Sequence, residues 1–261
     1  MMKISNFLEA MEREVPARYA CSWDHVGLLV GDRDAEVRRI LVALDAGDEA
    51  VRLAEERECD LIVTHHPLLF HPMERVLEQD VIGRRVRRMI RSGISYFAMH
   101  TNFDIVKMAD INARDLGLLR PCVLEKIGED ERGVYGFGRI GDLEKPQSLA
   151  AFAEKVKKAC RLDAVRVYGN PETVVRRAAV ASGSGKSAIP DAIREGAGVI
   201  VTGDVDYHTA IDSVAEGIAI IDAGHYGTEL CFIDYTVHML QTMFPDTEVI
   251  GQEIRQPYTI L

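Results

Sequence analysis

Short apolar runs alternate with amphipathic stretches along most of the chain. Runs of aliphatic and β-branched residues bounded by glycine and polar residues predict buried strands. These runs occupy residues 40–44, 61–63, 94–99, 164–167, 178–181, 199–201 and 218–221. Helical spacing of apolar positions predicts helices over residues 4–15, 48–57, 73–92, 148–160, 188–195 and 207–216. The alternation predicts an α/β fold with mostly parallel or mixed sheets covered by helices.

A glycine-rich segment divides this pattern into two sets of elements. Residues 128–141 contain five glycines, yet Val134 and Phe137 still allow a strand there. The polar residues with the most informative chemistry lie near both ends of the chain. We therefore predict a discontinuous first α/β domain, residues 1–126 with 224–261, and a second α/β domain over residues 127–223.

Histidines and acids follow several of the predicted strands. The pair His65-His66 ends one apolar run, and His100 and Asp104 follow the next. Open α/β sheets bind ligands beyond the carboxyl ends of their strands, so these side chains are expected in that crevice. A histidine pair before a proline also occurs in ordinary surface loops. The recurrence of such residues at successive strand ends favours a metal site.

The segment Gly224–Glu229 adds a second pair of metal-binding groups. His225 and Glu229 are four residues apart, so they share one face of a helix. Gly224 allows the chain to turn sharply into that helix. Such pairs are also common on solvated helices, but a carboxylate can bridge two ions while imidazoles bind each of them.

Five sequence blocks together resemble a known family, the NIF-three-like dinuclear-metal proteins often labelled GTP cyclohydrolase I type 2. The blocks, in family order, are Trp23–Asp32, Thr64–Phe70, His100–Asp104, Thr202–His208 and Gly224–Glu229. They extend over nearly the whole chain. Two positions depart from the family pattern: His25 stands where Asn is usual, and His71 stands where a basic side chain is usual.

The resemblance implies a metal centre and an assembly. It implies that two divalent ions bind to His65, His66, Asp104, His225 and Glu229, with Glu229 bridging them. It also implies a homohexameric ring whose metal sites face an internal cavity, and it places the block that ends at His208 beside the metal cleft. The absence of a cysteine ligand in this set favours zinc, iron or manganese.

The expected function is that of a dinuclear metal-dependent hydrolase. Its small-molecule substrate would be GTP, another nucleotide or another phosphorylated compound, and His100 and His208 are candidate general acids or bases. One alternative is a non-enzymatic metal-binding protein that regulates or binds a partner, and another is a metal-dependent amidase. The segment Gly183–Ser187 resembles the end of a phosphate-binding loop, but Val180 stands where that motif requires glycine, which favours an ordinary turn.

Composition restricts the partners and the compartment. The net charge of −10 argues against non-specific binding to nucleic acid, which requires a basic surface. No apolar run approaches the roughly 20 residues of a membrane span, and residues 1–9 lack the apolar stretch of a signal peptide. Five scattered cysteines without a CxxC spacing are typical of reduced thiols. We therefore predict a cytoplasmic protein.

Overall fold

The computed structural model describes residues 2–256 and 258–260, and these residues form two compact units. The first unit contains Met1–Phe103 and Phe232–Leu261, and the second contains Asp104–Cys231. The predicted α/β fold class, with mostly parallel or mixed sheets covered by helices, is confirmed. The bounds of the units differ from the predicted division at residues 126 and 223. As a statement about independently folding domains, that division stays a prediction.

The chain contains the following elements. In chain order, the strands of the described residues are β1 (Met2–Lys3), β2 (Gly27–Val30), β3 (Glu36–Val37), β4 (Arg39–Ala43), β5 (Leu61–Thr64), β6 (Ser95–Ala98), β7 (Leu118–Asp130), β8 (Gly133–Ser148), β9 (Arg166–Tyr168), β10 (Val174–Val180), β11 (Val199–Thr202), β12 (Ala219–Asp222) and β13 (Glu248–Gly251). The α-helices are α1 (Ile4–Glu14), α2 (Asp48–Glu56), α3 (Val81–Arg91), α4 (Thr101–Phe103), α5 (Ala109–Asp115), α6 (Leu149–Ala159), α7 (Ile189–Arg194), α8 (Tyr207–Ala215), α9 (His225–Glu229) and α10 (Cys231–Met243). A π-helical segment, Asp104–Met108, joins α4 to α5.

The main sheet of the first unit has the strand order β13-β4-β5-β6-β2. The first four strands are parallel to their neighbours, and β2 pairs antiparallel with β6. Strands β4, β5 and β6 are almost entirely buried, as expected for parallel strands with helices on both faces. Their carboxyl ends lie at one edge of the sheet, where His65, His66 and His100 follow β5 and β6.

The sheet of the second unit has the strand order β7-β8-β10-β11-β12-β9. Strands β10, β11 and β12 are parallel, and the remaining pairs are antiparallel. The glycine-rich segment lies in the long β7–β8 hairpin, where Leu118 pairs with Leu143 at one end and Asp130 pairs with Gly133 at the other. Because β7 continues across residue 126, the hairpin belongs entirely to this unit.

The predicted helix over residues 73–92 is wrong in its first part. The helix α3 begins only at Val81, and Asp80 precedes it in an extended conformation. The apolar spacing of Met73, Val76 and Leu77 imitates helical periodicity, but this segment folds back on α3 instead. A Cβ on Gly83 would lie 2.4 Å from the carbonyl oxygen of Leu77, so glycine permits this close approach.

The segment that resembles the end of a phosphate-binding loop is an ordinary turn. The segment Gly183–Ser187 lies between β10 and α7 and forms a turn with a short 3-10 helix, Gly185–Ala188, in agreement with the prediction of an ordinary turn.

Across residues 2–256 and 258–260, every helix is too short or too polar to span a bilayer.

Candidate metal centre

Three histidines of the first unit form a compact imidazole cluster. His65 and His66 follow β5, and His100 follows β6, because parallel neighbours end at the same edge of the sheet. One ring nitrogen from each residue lies within 4.8 Å of the others. The His65 ring centroid lies 4.9 Å from that of His66 and 5.2 Å from that of His100. His65 is fully buried, whereas the other two side chains are partly exposed.

Each imidazole of the cluster has an oxygen at hydrogen-bond distance from Nδ1. The partners are the carbonyl oxygen of Met99 for His65 at 2.9 Å, Asp45 Oδ1 for His66 at 2.9 Å and Asp24 Oδ1 for His100 at 3.0 Å. A carbonyl or carboxylate oxygen only accepts, so Nδ1–H donates in all three cases. In the neutral ring the lone pair then lies on Nε2, which is the tautomer that metal-binding histidines adopt.

Asp24 orients His100 from a buried position. Its side chain is inaccessible to solvent. Its second carboxylate oxygen accepts hydrogen bonds from the backbone N–H of Thr101 at 3.0 Å and from the Thr101 hydroxyl at 2.5 Å. Burial alone would raise the pKa of the Asp24 carboxyl, but the hydrogen bonds from His100 and Thr101 outweigh burial and lower the pKa to about 2. Asp24 is therefore a permanent anion at neutral pH.

The turn that carries the histidine pair is held by Tyr96, which is fully buried in β6. The Tyr96 hydroxyl lies 2.7 Å from Thr64 Oγ1, donates to the carbonyl oxygen of His66 at 2.9 Å and accepts from the backbone N–H of Leu68 at 2.8 Å. Burial raises the pKa of Tyr96 to about 12. The hydroxyl thus stays protonated and fixes the backbone on both sides of Pro67.

His225 and Glu229 form the corresponding pair in the second unit. Both lie on α9, where His225 Nε2 is 3.2 Å from Glu229 Oε1. Gly224 precedes the helix with a φ of +70°, so the sharp turn predicted for this glycine is present. His225 Nδ1 lies 2.8 Å from Asp204 Oδ2, which repeats the arrangement of the imidazole cluster. Glu229 is a buried carboxylate, with a side chain only 5% exposed.

Gly183 provides room for the Glu229 carboxylate. This glycine has a φ of +60°, and a Cβ on it would lie 2.4 Å from Glu229 Oε1 and 3.2 Å from His225 Nε2. Its backbone N–H donates to the Thr228 hydroxyl at 2.8 Å, which ties the turn after β10 to α9. Glycine is thus required here both for the backbone conformation and for the space.

The remaining predicted site residues have distinct surroundings. Asp104 is partly buried and begins the π-helical segment of the second unit, and such segments are frequent at functional sites. His208 lies exposed in the first turn of α8, with its ring 5.3 Å from the Tyr207 ring. Among the described residues, the clusters of three or more potential metal donors do not include His208.

Sequence reasoning missed the three acids that orient the histidines. Asp24, Asp45 and Asp204 precede their histidine partners by 76, 21 and 21 residues. Asp24 and Asp204 lie inside blocks used for the family resemblance. In the block that contains Asp204, however, the sequence drew attention to His208 as the acid–base candidate. Asp45 directly follows the apolar run 40–44, so its position at a strand end was an available signal.

The chemistry of the donor set fits a borderline divalent metal. Imidazole nitrogens together with the carboxylates of Asp104 and Glu229 suit zinc, iron or manganese. Cys231, two residues after Glu229, does not belong to this set: its Sγ lies 3.2 Å from Met108 Sδ and is buried, and burial raises the pKa of this thiol. The described residues thus contain clusters of histidine and glutamate that could hold a metal ion.

Comparisons with known proteins assign nearly the whole chain to one family. A family model described as Duf34/NIF3 (NGG1p interacting factor 3) matches residues 2–257. The chain is 30% identical over 264 residues to the GTP cyclohydrolase 1 type 2 homolog of Clostridium perfringens, and the alignment covers 100% of both proteins. The crystal structure of a Staphylococcus aureus hypothetical protein is similar at a TM-score of 0.91 with 27% identity, over 100% of this chain and 99% of that one. Reduced HcgD from Methanocaldococcus jannaschii is similar at a TM-score of 0.84 with 30% identity, over 97% and 98% of the two chains. The resemblance inferred from the five sequence blocks is thereby confirmed.

Proposed function

The chain belongs to the Duf34/NIF3 family, and on that premise we propose that it is a dinuclear metal-dependent hydrolase. The proposed substrates are GTP, other nucleotides or other phosphorylated small molecules. Relatives named GTP cyclohydrolase 1 type 2 homolog support a nucleotide-related substrate. A metal site built from histidines and carboxylates would suit such anions in a protein whose net charge is −10.

The observation that carries the proposal is the common orientation of four histidines. His65, His66, His100 and His225 all direct Nδ1 toward an oxygen acceptor. Ordinary surface histidines have no reason to share one tautomer. Metal-binding histidines do, because the acceptor behind the ring fixes its orientation and makes Nε2 a better ligand. Three of the four acceptors are carboxylates, which strengthens this effect.

We propose His65, His66, Asp104, His225 and Glu229 as ligands of two divalent ions, with Glu229 as the bridging carboxylate. This ligand set follows from the family membership and agrees with the donors that each unit offers. Bound ions would lower the pKa of a bound water toward neutrality and provide positive charge for an anionic substrate. Zinc, iron and manganese are the candidate metals.

His100 and His208 are the proposed acid–base residues. His100 has the better geometric support, because Asp24 fixes its tautomer and leaves Nε2 to accept or donate a proton. Its place in the imidazole cluster also makes it a candidate metal ligand. His208 is exposed at the start of α8, where its ring is accessible to a substrate.

The assembly and compartment form part of the same proposal. We propose a homohexamer in the cytoplasm, without stable binding to nucleic acid or membranes. All five cysteines are free thiols, which suits a reducing compartment. Size-exclusion chromatography with light scattering tests the assembly, and a single monomeric mass across a dilution series would contradict the hexamer.

Metal analysis is the first experiment. The purified protein, reconstituted in turn with zinc, iron and manganese, is expected to hold close to two ions per chain. Glu229→Gln should lose more metal than a single histidine variant, because it weakens both ions. Asp45→Asn removes the carboxylate behind the proposed ligand His66 and should weaken metal binding by about 10–100-fold, whereas the exposed Asp34→Asn should not. At most one ion in the metal-replete wild type would refute the dinuclear centre.

A substrate panel is the second experiment. Nucleotides, phosphoesters and cyclic amides are assayed with each metal, and hydrolysis is expected to disappear on chelation and in Asp104→Asn. His208→Ala should lower turnover by about 100- to 10,000-fold while metal content stays unchanged. Activity that survives both chelation and Asp104→Asn would assign the reaction to a different site. A protein that holds two ions but hydrolyses nothing in the panel would support a metal-binding regulatory role instead.

A further inference from the structure

The first unit contains a large cavity, lined in part by residues close in sequence to those of the imidazole cluster. Its volume is about 920 Å³, which lies within the size range of small-molecule sites, roughly 300–1,000 Å³. The edge strand β2, the helix α3 and the loop after the histidine pair form its walls. Most of its lining is aliphatic, with Leu29, Leu69, Val76, Val86 and Ile90 among the contributing side chains.

A few polar side chains interrupt this apolar lining. His25, His71 and Ser95 contribute hydrogen-bonding groups, and Asp32 contributes a carboxylate. Among the described lining residues there is no lysine or arginine. An anionic ligand would therefore meet a carboxylate without a compensating cation. An apolar wall with a small number of polar groups is the usual composition of a site for an uncharged organic ring system.

The cavity and the imidazole cluster are built from the same two chain segments. In the first segment, Asp24 binds His100 and the next residue, His25, lines the cavity. In the second segment, His66 belongs to the cluster, and Leu69 and His71 line the cavity. Several residues that line the cavity are thus close in sequence to the groups that are proposed to carry the chemistry.

Aromatic rings connect the two places directly. The Phe70 ring lies 6.4 Å from the His100 ring and 5.2 Å from the His71 ring, between the cluster and the cavity wall. The Trp23 ring contacts both Phe70, at 5.8 Å, and His100, at 6.0 Å. Such rings provide flat apolar surfaces on which another ring can stack.

We propose that this cavity binds an uncharged planar ring system and holds the part of the substrate that is remote from the reacting group. The assignment of the occupant as substrate rests on the proposed function, but the binding site itself does not. The cavity would accept the base or another ring of the molecule, and its anionic part would remain outside the cavity, toward the histidines.

Two fluorescent probes that differ in charge test the proposal. N-phenylnaphthylamine is uncharged, and anilinonaphthalene sulfonate carries the same rings with an added sulfonate. We expect the uncharged probe to bind about tenfold or more tightly than its sulfonated analogue. Trp23 is the one tryptophan of the chain, so energy transfer to the bound probe reports binding near the cavity. Trp23→Phe should remove the transfer signal while the probe's own fluorescence still reports binding.

Cavity-filling variants localise the probe. Val76→Phe adds a ring at the cavity wall, and Ala35→Leu adds volume at another lining residue, so each should weaken binding of the uncharged probe by about tenfold or more. Val81→Phe is the matched control, because Val81 is similarly exposed, at 49% against 40% for Val76, and does not line the cavity. Its affinity for the probe should equal that of the wild type.

The results separate this proposal from the proposed function. Probe binding should persist after chelation and in Glu229→Gln, so loss of the metals leaves the test intact. Unchanged affinity in both filled variants, or equal affinity for the two probes, would overturn the proposal. A change of oligomeric mass in Val76→Phe without weaker probe binding would also overturn it, because the cavity wall would then be a contact between copies of the chain.

Discussion

The hydroxyl of Tyr96 is expected to stabilise the first unit and the turn of the histidine pair. In Tyr96→Phe, Thr64 can still donate to the His66 carbonyl at 2.8 Å, so that acceptor keeps a partner. The backbone N–H of Leu68 loses its acceptor, and one of the hydroxyl hydrogen bonds disappears. An unsatisfied buried donor costs about 1–3 kcal/mol and a hydrogen bond contributes about 1 kcal/mol, so we expect a loss of roughly 2–4 kcal/mol.

Urea unfolding followed by Trp23 fluorescence measures this loss, because the one tryptophan of the chain lies in the first unit. The midpoint should fall while the slope of the transition stays unchanged. Tyr207→Phe is the control, since Tyr207 is 67% exposed and its hydroxyl should contribute little to stability. Thr64→Val and the double variant complete a cycle, which should show coupling between the two hydroxyls.

The pH dependence provides an independent check. Burial raises the pKa of Tyr96 to about 12, from the ordinary value of 10.0 for a tyrosine hydroxyl. The folded pKa lies above the unfolded one, so this contribution to stability is complete below pH 10 and is lost as the pH rises toward 12. The linkage relation gives a loss on the order of 1 kcal/mol at pH 11. The stability difference between the wild type and Tyr96→Phe should therefore narrow by that amount between pH 8 and pH 11.

Two outcomes would refute this reasoning. If the free energy of unfolding of Tyr96→Phe lies within about 0.5 kcal/mol of the wild-type value at pH 8, the hydroxyl contacts contribute no more to stability than an ordinary surface substitution does. A difference that stays constant up to pH 11 would show that Tyr96 ionises at the same pH in the folded and unfolded chains.

Three further predictions follow from the second unit, the surface of the first and the thiols. Gly183→Ala should displace the Glu229 carboxylate and lower metal content, whereas Gly196→Ala, with a φ of +74° and nothing within 4 Å of the added Cβ, should show only the backbone strain; equal metal loss in both would refute the steric explanation. The hydrogen bond from Arg88 lowers the pKa of Glu55, so its stabilising effect is present above the unfolded pKa near 4.5 and is lost as the pH falls. Glu55→Gln should therefore be less stable than the wild type by about 0.5–1 kcal/mol at pH 7 and equally stable in acid. A stability difference that persists in urea titrations at acid pH would contradict this prediction. At pH 8 a thiol reagent should modify the exposed Cys122 quickly. Burial raises the pKa of Cys59 to about 11 and that of Cys160 to about 12, so both thiols should stay unreactive until the chain unfolds. Fast labelling of Cys59 or Cys160, identified by mass spectrometry of the labelled peptides, would show that a buried thiol is accessible.

The sheet strands were predictable because burial on both faces requires continuous apolar runs. Residues 40–44 and 61–63 became β4 and β5 with only small shifts at their ends. The long β7–β8 hairpin was only partly predicted, since Leu118–Asp130 alternates exposed and buried positions irregularly and contains many charged residues. Its strand conformation depends on pairing with β8, which is a contact that periodicity does not reveal.

The candidate site was predictable to the extent that its donors follow strands. His65, His66 and His100 were identifiable because each stands at a strand end, and the structure places them in one cluster. The role of Tyr96 was hidden, because an aromatic residue in a strand is ordinarily assigned to the core. Its hydroxyl becomes significant only when the turn after β5 lies within hydrogen-bond distance of β6.

The orienting acids show why a list of donors does not define a metal site. A histidine at a strand end can present either ring nitrogen, and its tautomer depends on a group that the sequence does not place nearby. Asp24 lies 76 residues before His100, and its contact exists because β6 and the segment before β2 meet in the fold. Asp204 reaches His225 from the turn after β11, with a positive φ of 55° that is uncommon for a residue other than glycine. The fold retains this conformation and a buried anion at Asp24, and each of these features is costly unless it is compensated. Hydrogen bonds to the histidine rings provide part of that compensation, and a bound cation would provide more. Each acid and the histidine that it orients thus form one electrostatic pair, in which the carboxylate as well as the imidazole would favour a nearby cation.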